Sequence, residues 1–293
     1  MTLTEEEAYK KFLKAEFEEY AEERYITVSD GSQIRVLLSK ATKEEHNGFT
    51  FVLVAGWNTV VPGWDEVLLE AMKNFDVVYI ETREKGSSIV VKKAKFNIDR
   101  FSSDIQEIIE ELQINQKNMI LFSSSFGTIN SAHGLGSQKF EPFITYFVGP
   151  VHRFEMPFGS RIYMYLVPNN FLKVTKPLWL RWIRKRKSED PEQAAKYIRA
   201  LEEADVKKWR STAYANAWHD FLDMYERIEV RNYIIGMEKD KMHERNISMR
   251  IHERMKNSTY IDLETNKKTH SAEIIKVVRQ HIAEITKNEN IST

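Results

Sequence analysis

The chain of 293 residues contains no cysteine. Disulfides, thiolate nucleophiles and Cys-ligated zinc or iron–sulfur centres are therefore excluded, and the composition suits a reducing compartment. No apolar run approaches the roughly 18 residues of a membrane-spanning helix. The N-terminal stretch MTLTEEEAYKKFLK lacks the apolar core of a secretory signal. A cytoplasmic location without stable membrane insertion is the expectation. Neither sign of charge is in excess, with 43 Lys and Arg against 43 Asp and Glu, so no global field favours nucleic acid. Basic residues are not interleaved with aromatics on any predicted sheet face, which leaves nucleic-acid binding without support. A phosphate-binding Gly-Lys-Ser/Thr loop is missing, and Gly134-Leu135-Gly136 lacks the preceding strand and third glycine of a dinucleotide fingerprint. His243-Glu244 and His252-Glu253 each lack a second histidine four residues after the first. No cofactor and no metal are expected.

What is present is a globular composition, 42% hydrophobic and 29% charged. Thr4 to Tyr20 reads as a helix, with Thr4 and Glu7 spaced as a capping box. RYITVSDGSQIRVLLS carries two alternating runs around Asp30-Gly31, the pattern of a β-hairpin. The apolar runs at 49–56, 75–81, 118–122 and 143–149 follow, as expected of strands buried on both faces. Helical faces separate them: Trp64, Val67, Leu68, Ala71 and Met72, then Ile105, Ile108, Ile109 and Leu112 behind a Ser103/Gln106 capping box. The alternation stops near Val151, resumes with NYIIG (Asn232 to Gly236) and STYIDLE, and ends in a helix whose face holds Ile274, Ile275, Val278, Ile282 and Ile285. Strands alternating with amphipathic helices specify an α/β fold with a doubly wound, mostly parallel sheet. The expected organisation is an N-terminal helical extension over 1–22, a core over 23–150 and 230–293, and a helical insertion over 151–229.

The stretch MILFSSSFGTIN places three hydroxyls at the carboxyl end of a buried strand, where open α/β sheets carry their chemistry. A nucleophile on a sharp strand–turn–helix needs small residues two before and two after it. Ser123 would need Leu121 to be small, and Ser124 would need Phe122 and Phe126 to be small. Ser125 is flanked by Ser123 and Gly127, and it alone satisfies the rule.

A serine hydroxyl is too weak an acid to ionise near neutrality, so it needs a base, commonly a histidine held by a carboxylate. Among eight histidines, His270 falls in the loop between the last strand and the last helix, on the catalytic edge. His281 lies inside the final helix, His46 at the wrong end of a strand and His133 two helical turns beyond Ser125. His152 follows a strand end and can line a pocket. The acid is expected in GMEKDKMH, as Asp240 or its neighbour Glu238. The chain order Ser125, Asp240, His270 is the one this topology uses. Backbone N–H groups of Trp57 and Phe126 are the candidate oxyanion donors.

Several stretches in order, FVLVAGWNTVVPGWDEVL, VVYIETREKGSS, SSSFG, GMEKD and KKTH, give the chain a resemblance to the α/β-hydrolase superfamily from about residue 24 to 288. Ala55 stands where members commonly carry the histidine of a His-Gly pair, and Ser123 where glycine is usual. The resemblance implies a serine hydrolase acting on a small acyl substrate (an ester, thioester or amide) with the 151–229 insertion as a cap over the site. An inactive scaffold or ligand-binding protein of the same fold, and an acyltransferase, are the alternative readings. WLRWIRKRK, Trp179 to Lys187, reads as a cap helix with a solvated basic face, or as a surface meeting an anionic or lipid-like ligand. Acyl chain length and oligomeric state have no signature in the sequence.

Overall fold

The computed structural model describes residues 15–42, 44–154, 168, 174–175, 198–237 and 245–291. Among the described residues eight strands occur in chain order: β1 (Glu22–Thr27), β2 (Gln33–Ser39), β3 (Thr50–Val54), β4 (Asp76–Glu81), β5 (Met119–Ser124), β6 (Ile144–Val148), β7 (Asn232–Gly236) and β8 (Ser258–Asp262). They form one sheet in the order β1-β2-β4-β3-β5-β6-β7-β8. β1 and β2 are the hairpin expected around Asp30-Gly31, where Gly31 takes a φ of 80°. β2 also runs antiparallel to β4, and every later pairing is parallel.

The helices are α1 (Phe17–Tyr20), α2 (Asp65–Ala71), α3 (Ile98–Glu111), α4 (Phe126–Gly136), α5 (Val206–Asn216), α6 (Leu222–Tyr225), α7 (Arg245–Arg254), α8 (Asn266–Thr269) and α9 (Ala272–Ile291). Side chains alternate across a strand, so β5 feeds two cores. Ile120 and Phe122 join Trp64, Val67, Leu68 and Ala71 of the α2 region and Ile274, Ile275 and Val278 of α9. Met119 and Leu121 join Ile105, Ile108 and Ile109 of α3 with Ala132 and Leu135 of α4. All six residues of β5 are buried, which is why the run reads as continuously apolar rather than alternating.

Two expectations change in detail. The helix expected to begin behind Ser103 begins at Ile98, with Asn97 as N-cap. Ile98 and Phe101 extend the buried face by more than a turn, and the Ser103 hydroxyl donates back to the Asp99 carbonyl within the helix. Of the helix expected over Thr4 to Tyr20, the described residues show only the short α1, since Ala15 and Glu16 are not helical; Phe17 is buried in the main core, and Thr4 and Glu7 lie outside the described residues. So do Trp179–Lys187 and about half of the 151–229 segment. Its described parts include α5 and α6, and the segment is tied at its root by an antiparallel bridge between Arg153 and Asp220. Among the described residues no helix is long and apolar enough to cross a membrane.

Candidate active site

The parallel strands present their carboxyl ends along one edge, and β5 hands over there to α4. The link is a single residue, Ser125, with φ 46° and ψ −122°. Only a few per cent of non-glycine residues take a positive φ, and such strain persists where the surroundings over-determine it. Here they do. The Ser125 N–H donates to the Val148 carbonyl of β6 at 3.1 Å, and its carbonyl accepts from the Thr128 N–H at 2.9 Å and the Thr128 hydroxyl at 2.6 Å. Gly127 is required as well. A Cβ there would meet the carbonyl oxygens of Val54 and Ala55 at the end of β3, so the spacing rule read from the sequence has a packing cause.

The three serines have three different environments. Ser123 is fully buried, and its Oγ lies 2.7 Å from the Ser131 Oγ of α4. Ser124 accepts the Gly56 N–H at 3.0 Å. Ser125 is partly exposed, and its Oγ has no hydrogen-bond partner among the described residues.

Beyond β3 the chain makes a tight turn over Gly56–Thr59, closed by the Thr59 N–H on the Gly56 carbonyl at 3.1 Å, with Asn58 at φ 53°. A Cβ on Gly56 would stand 3.1 Å from the Ser125 Cβ, so this turn lies directly against the elbow. The N–H groups of Trp57 and Phe126 donate to no described residue. Phe126 is the first residue of an 11-residue helix, and helix N-termini carry partial positive charge.

His270 caps the carboxyl end of α8, in the connection between β8 and α9. Its ring stacks on Trp64, with centroids 4.1 Å apart, and Trp64 in turn meets Phe122 of β5 edge-on. The His270 Nδ1 lies 2.9 Å from the Asn266 carbonyl oxygen. The Thr269 hydroxyl lies 3.0 Å from the same Nδ1, and because a carbonyl only accepts, the Asn266 contact suits a protonated Nδ1. Asp240 and Glu238 lie outside the described residues. Three other histidines are engaged elsewhere: His133 with the Ser102 hydroxyl, His281 between Tyr146 and Tyr233, and His46 near Asp76. Burial lowers the pKa of both His133 and His281.

Three features of this edge were not evident in the sequence. A histidine–carboxylate pair joins His152 Nδ1 to Asp220 at 2.7 Å, and Arg153 also binds Asp220. Partial burial alone would raise the Asp220 carboxyl; hydrogen bonds from His152, Arg153 and the Leu222 N–H outweigh it and hold it at about 2. Lys85, in the turn after β4, is buried and donates to the Gly56 carbonyl. Finally, a series of rings borders the elbow: Trp209 on Trp57, Trp57 on Phe154, Phe154 on Phe126 and Phe126 on Phe101, at centroid separations of 4.8, 5.1, 5.2 and 5.4 Å. The charge identity of Lys85 gives no hint of burial, and the His152–Asp220 contact spans 68 positions.

No protein-family model matches the chain, and no curated protein sequence matches it. Solved structures do. An esterase from Exiguobacterium antarcticum superposes with a TM-score of 0.71 at 16% identity, over 89% of this chain and 98% of that one. The enol-lactonase from Burkholderia xenovorans LB400 gives 0.69 at 15% identity, over 90% and 100%. A bromoperoxidase from Bacillus anthracis gives 0.66 at 16% identity, over 91% and 100%. With the strand order and the strand–Ser125–helix junction described above, these similarities show that the chain has the α/β-hydrolase fold.

Proposed function

We propose that the protein is a serine hydrolase that cleaves a carboxylic ester, thioester or amide through an acyl-enzyme on Ser125. The observation that carries the reading is the backbone of Ser125. A non-glycine residue is held at positive φ, with its hydroxyl unbonded among the described residues, at the carboxyl edge of a parallel sheet. That geometry is unneeded for a mere strand–helix connection.

In this mechanism the His270 Nε2 takes the Ser125 proton as Oγ attacks the substrate carbonyl. The carbonyl oxygen becomes an oxyanion and is met by the Trp57 and Phe126 N–H groups. The tetrahedral intermediate collapses, and the leaving group departs with the proton returned by His270. Water, deprotonated by the same ring, then releases the acid. The carboxylate that orients His270 is assigned to Asp240, with Glu238 as its neighbour in the same loop; to bind Nδ1 it would replace the Asn266 carbonyl contact. The 151–229 segment is assigned as a cap. The aromatic series through Trp57, Phe126 and Phe154 favours an apolar acyl group. This chemistry asks for no cofactor. The neighbours' names cover different reactions on one fold, so fold similarity does not choose the substrate.

The test is labelling by a fluorophosphonate probe, with wild type compared to Ser123→Ala, Ser124→Ala and Ser125→Ala. Labelling abolished only in Ser125→Ala supports the assignment. Folded wild type that takes no label, and hydrolyses no member of a p-nitrophenyl ester and acyl-thioester panel, returns the chain to the scaffold reading.

A further inference from the structure

A buried lysine stands beneath the turn that holds Trp57. Lys85 is 3% exposed, and its Nζ donates to the Gly56 carbonyl at 2.9 Å. Its charge partner is Glu84, fully buried, at 3.2 Å. One Glu84 oxygen accepts from the Thr82 hydroxyl, and the other has no partner among the described residues. Such a pair is a poor way to gain stability. Desolvating both charges is expensive, and apolar side chains of similar volume commonly do as well or better. Packing alone would be served by a methionine at position 85.

The Gly56 carbonyl belongs to the peptide unit that carries the Trp57 N–H. That peptide is trans, and in a planar trans peptide the C=O and N–H point in opposite directions. The Lys85 ammonium and the Thr59 N–H both donate to the Gly56 carbonyl, and together they set the direction of the Trp57 N–H. The Ser124 hydroxyl fixes the preceding N–H, that of Gly56, from the other side. The Lys85 main chain is anchored in turn: Lys208 of α5 donates its ammonium to the carbonyls of Lys85 and Ser88. Asn58, in the same turn as Trp57, bonds the Ala200 carbonyl and the Trp209 indole N–H.

We propose that Lys85 is a positioning residue: by donating to the Gly56 carbonyl it aims the Trp57 N–H at the oxygen of the carbonyl that Ser125 attacks. The inference rests on the serine hydrolase reading and assigns a role to a residue outside the Ser, His and acid set. The oxyanion forms only as the bond to Oγ forms, so a misaimed donor weakens the transition state and leaves ground-state binding alone.

The decisive variant is the double substitution Glu84→Gln, Lys85→Met, which strands no buried carboxylate; Lys85→Met alone is measured beside it. Circular dichroism and thermal melting establish folding. On a p-nitrophenyl ester the expected result is a kcat lower by about 10- to 100-fold, below the 10²–10³ of losing a donor outright, with KM within about threefold. Inhibition by an alkyl boronic acid, which forms a tetrahedral adduct on serine, weakens in parallel. A folded double variant with kcat within about twofold of wild type overturns the proposal. A crystal structure of that variant tests the same role independently of turnover. A rotated or doubled Gly56–Trp57 peptide supports the role, and an unmoved one overturns it. Wild type that neither labels nor hydrolyses brings down the hydrolase reading instead, and the peptide orientation in the variant still decides whether Lys85 governs it.

Discussion

A Cβ built on Gly127 would lie 2.3 Å from the carbonyl oxygen of Val54. The obstacle is backbone at the end of β3, which cannot swing aside as a flexible side chain would. Gly127→Ala must therefore push α4 away from β3 or distort Ser125. Overpacking of this kind costs about 1–3 kcal/mol or more. The expected outcome is a lower urea midpoint together with a large loss of fluorophosphonate labelling. A variant as stable and as reactive as wild type would mean that the elbow has slack the packing does not suggest.

Ser125 itself should be a site where stability and activity conflict. Its φ of 46° and ψ of −122° are easier for glycine than for any L-residue with a Cβ. Ser125→Ala and Ser125→Gly remove the same hydroxyl, so their difference isolates the backbone. Relief of strain is worth roughly 1–3 kcal/mol, and the greater freedom of unfolded glycine subtracts about 0.5–1. Ser125→Gly is thus expected to be more stable than Ser125→Ala by about 1 kcal/mol in urea titrations, with both inert to the probe. Equal or lower stability for the glycine variant would show that the position is unstrained.

The two neighbouring serines should separate stability from reactivity. Ser123 and Ser131 bond each other in a fully buried setting, and their hydroxyls do not bond the turn that holds Trp57. Ser123→Ala leaves one hydroxyl unsatisfied and should cost about 1–3 kcal/mol with labelling rates near those of wild type. Ser124→Ala instead frees the buried Gly56 N–H. It should show a similar loss of stability and also slower labelling, because the turn loses one of the hydrogen bonds that anchor it. Matched labelling rates for the two variants would remove Ser124 from the positioning of that turn.

The contrast among these serines also marks what the sequence carries. Strand β5 and its handover to a helix were legible because burial on both faces leaves a continuous apolar run and because Gly127 has no substitute. The hairpin was legible from Asp30-Gly31. The start of α3 was misplaced because Ser103 and Gln106 have the spacing of a cap, while the buried faces of Ile98 and Phe101 decide where the helix begins. Lys85 was invisible for another reason. A lysine in a charged turn normally points into water, and its burial arises only when β3, β4 and α5 converge. The His152–Asp220 pair is a meeting of residues far apart in sequence, and no local pattern encodes it.

That pair yields the last prediction. His152 and Arg153 lie where the chain leaves β6, and Asp220 lies where it returns toward α6. The Phe221 N–H on the His152 carbonyl completes the tie. The contact thus closes the root of the 151–229 segment. The Asp220 carboxyl is held at about 2, below its unfolded value. Its contribution is accordingly complete above the ordinary aspartate range near 4 and is lost as pH falls toward about 2. Protection factors for amide exchange across residues 198–225 should hold steady from pH 7 down to about 4 and fall below it. In Asp220→Asn the same region should exchange faster already at pH 7 and lose the acid-dependent step. The pair also resembles a base with its carboxylate, so His152→Gln and His270→Gln need comparison on one ester substrate. If His270 is the base, its loss should lower kcat by about 10²–10⁴, while His152→Gln changes kcat only a few-fold. The reverse order would move the base to the root of the insertion and make Asp220 its orienting acid.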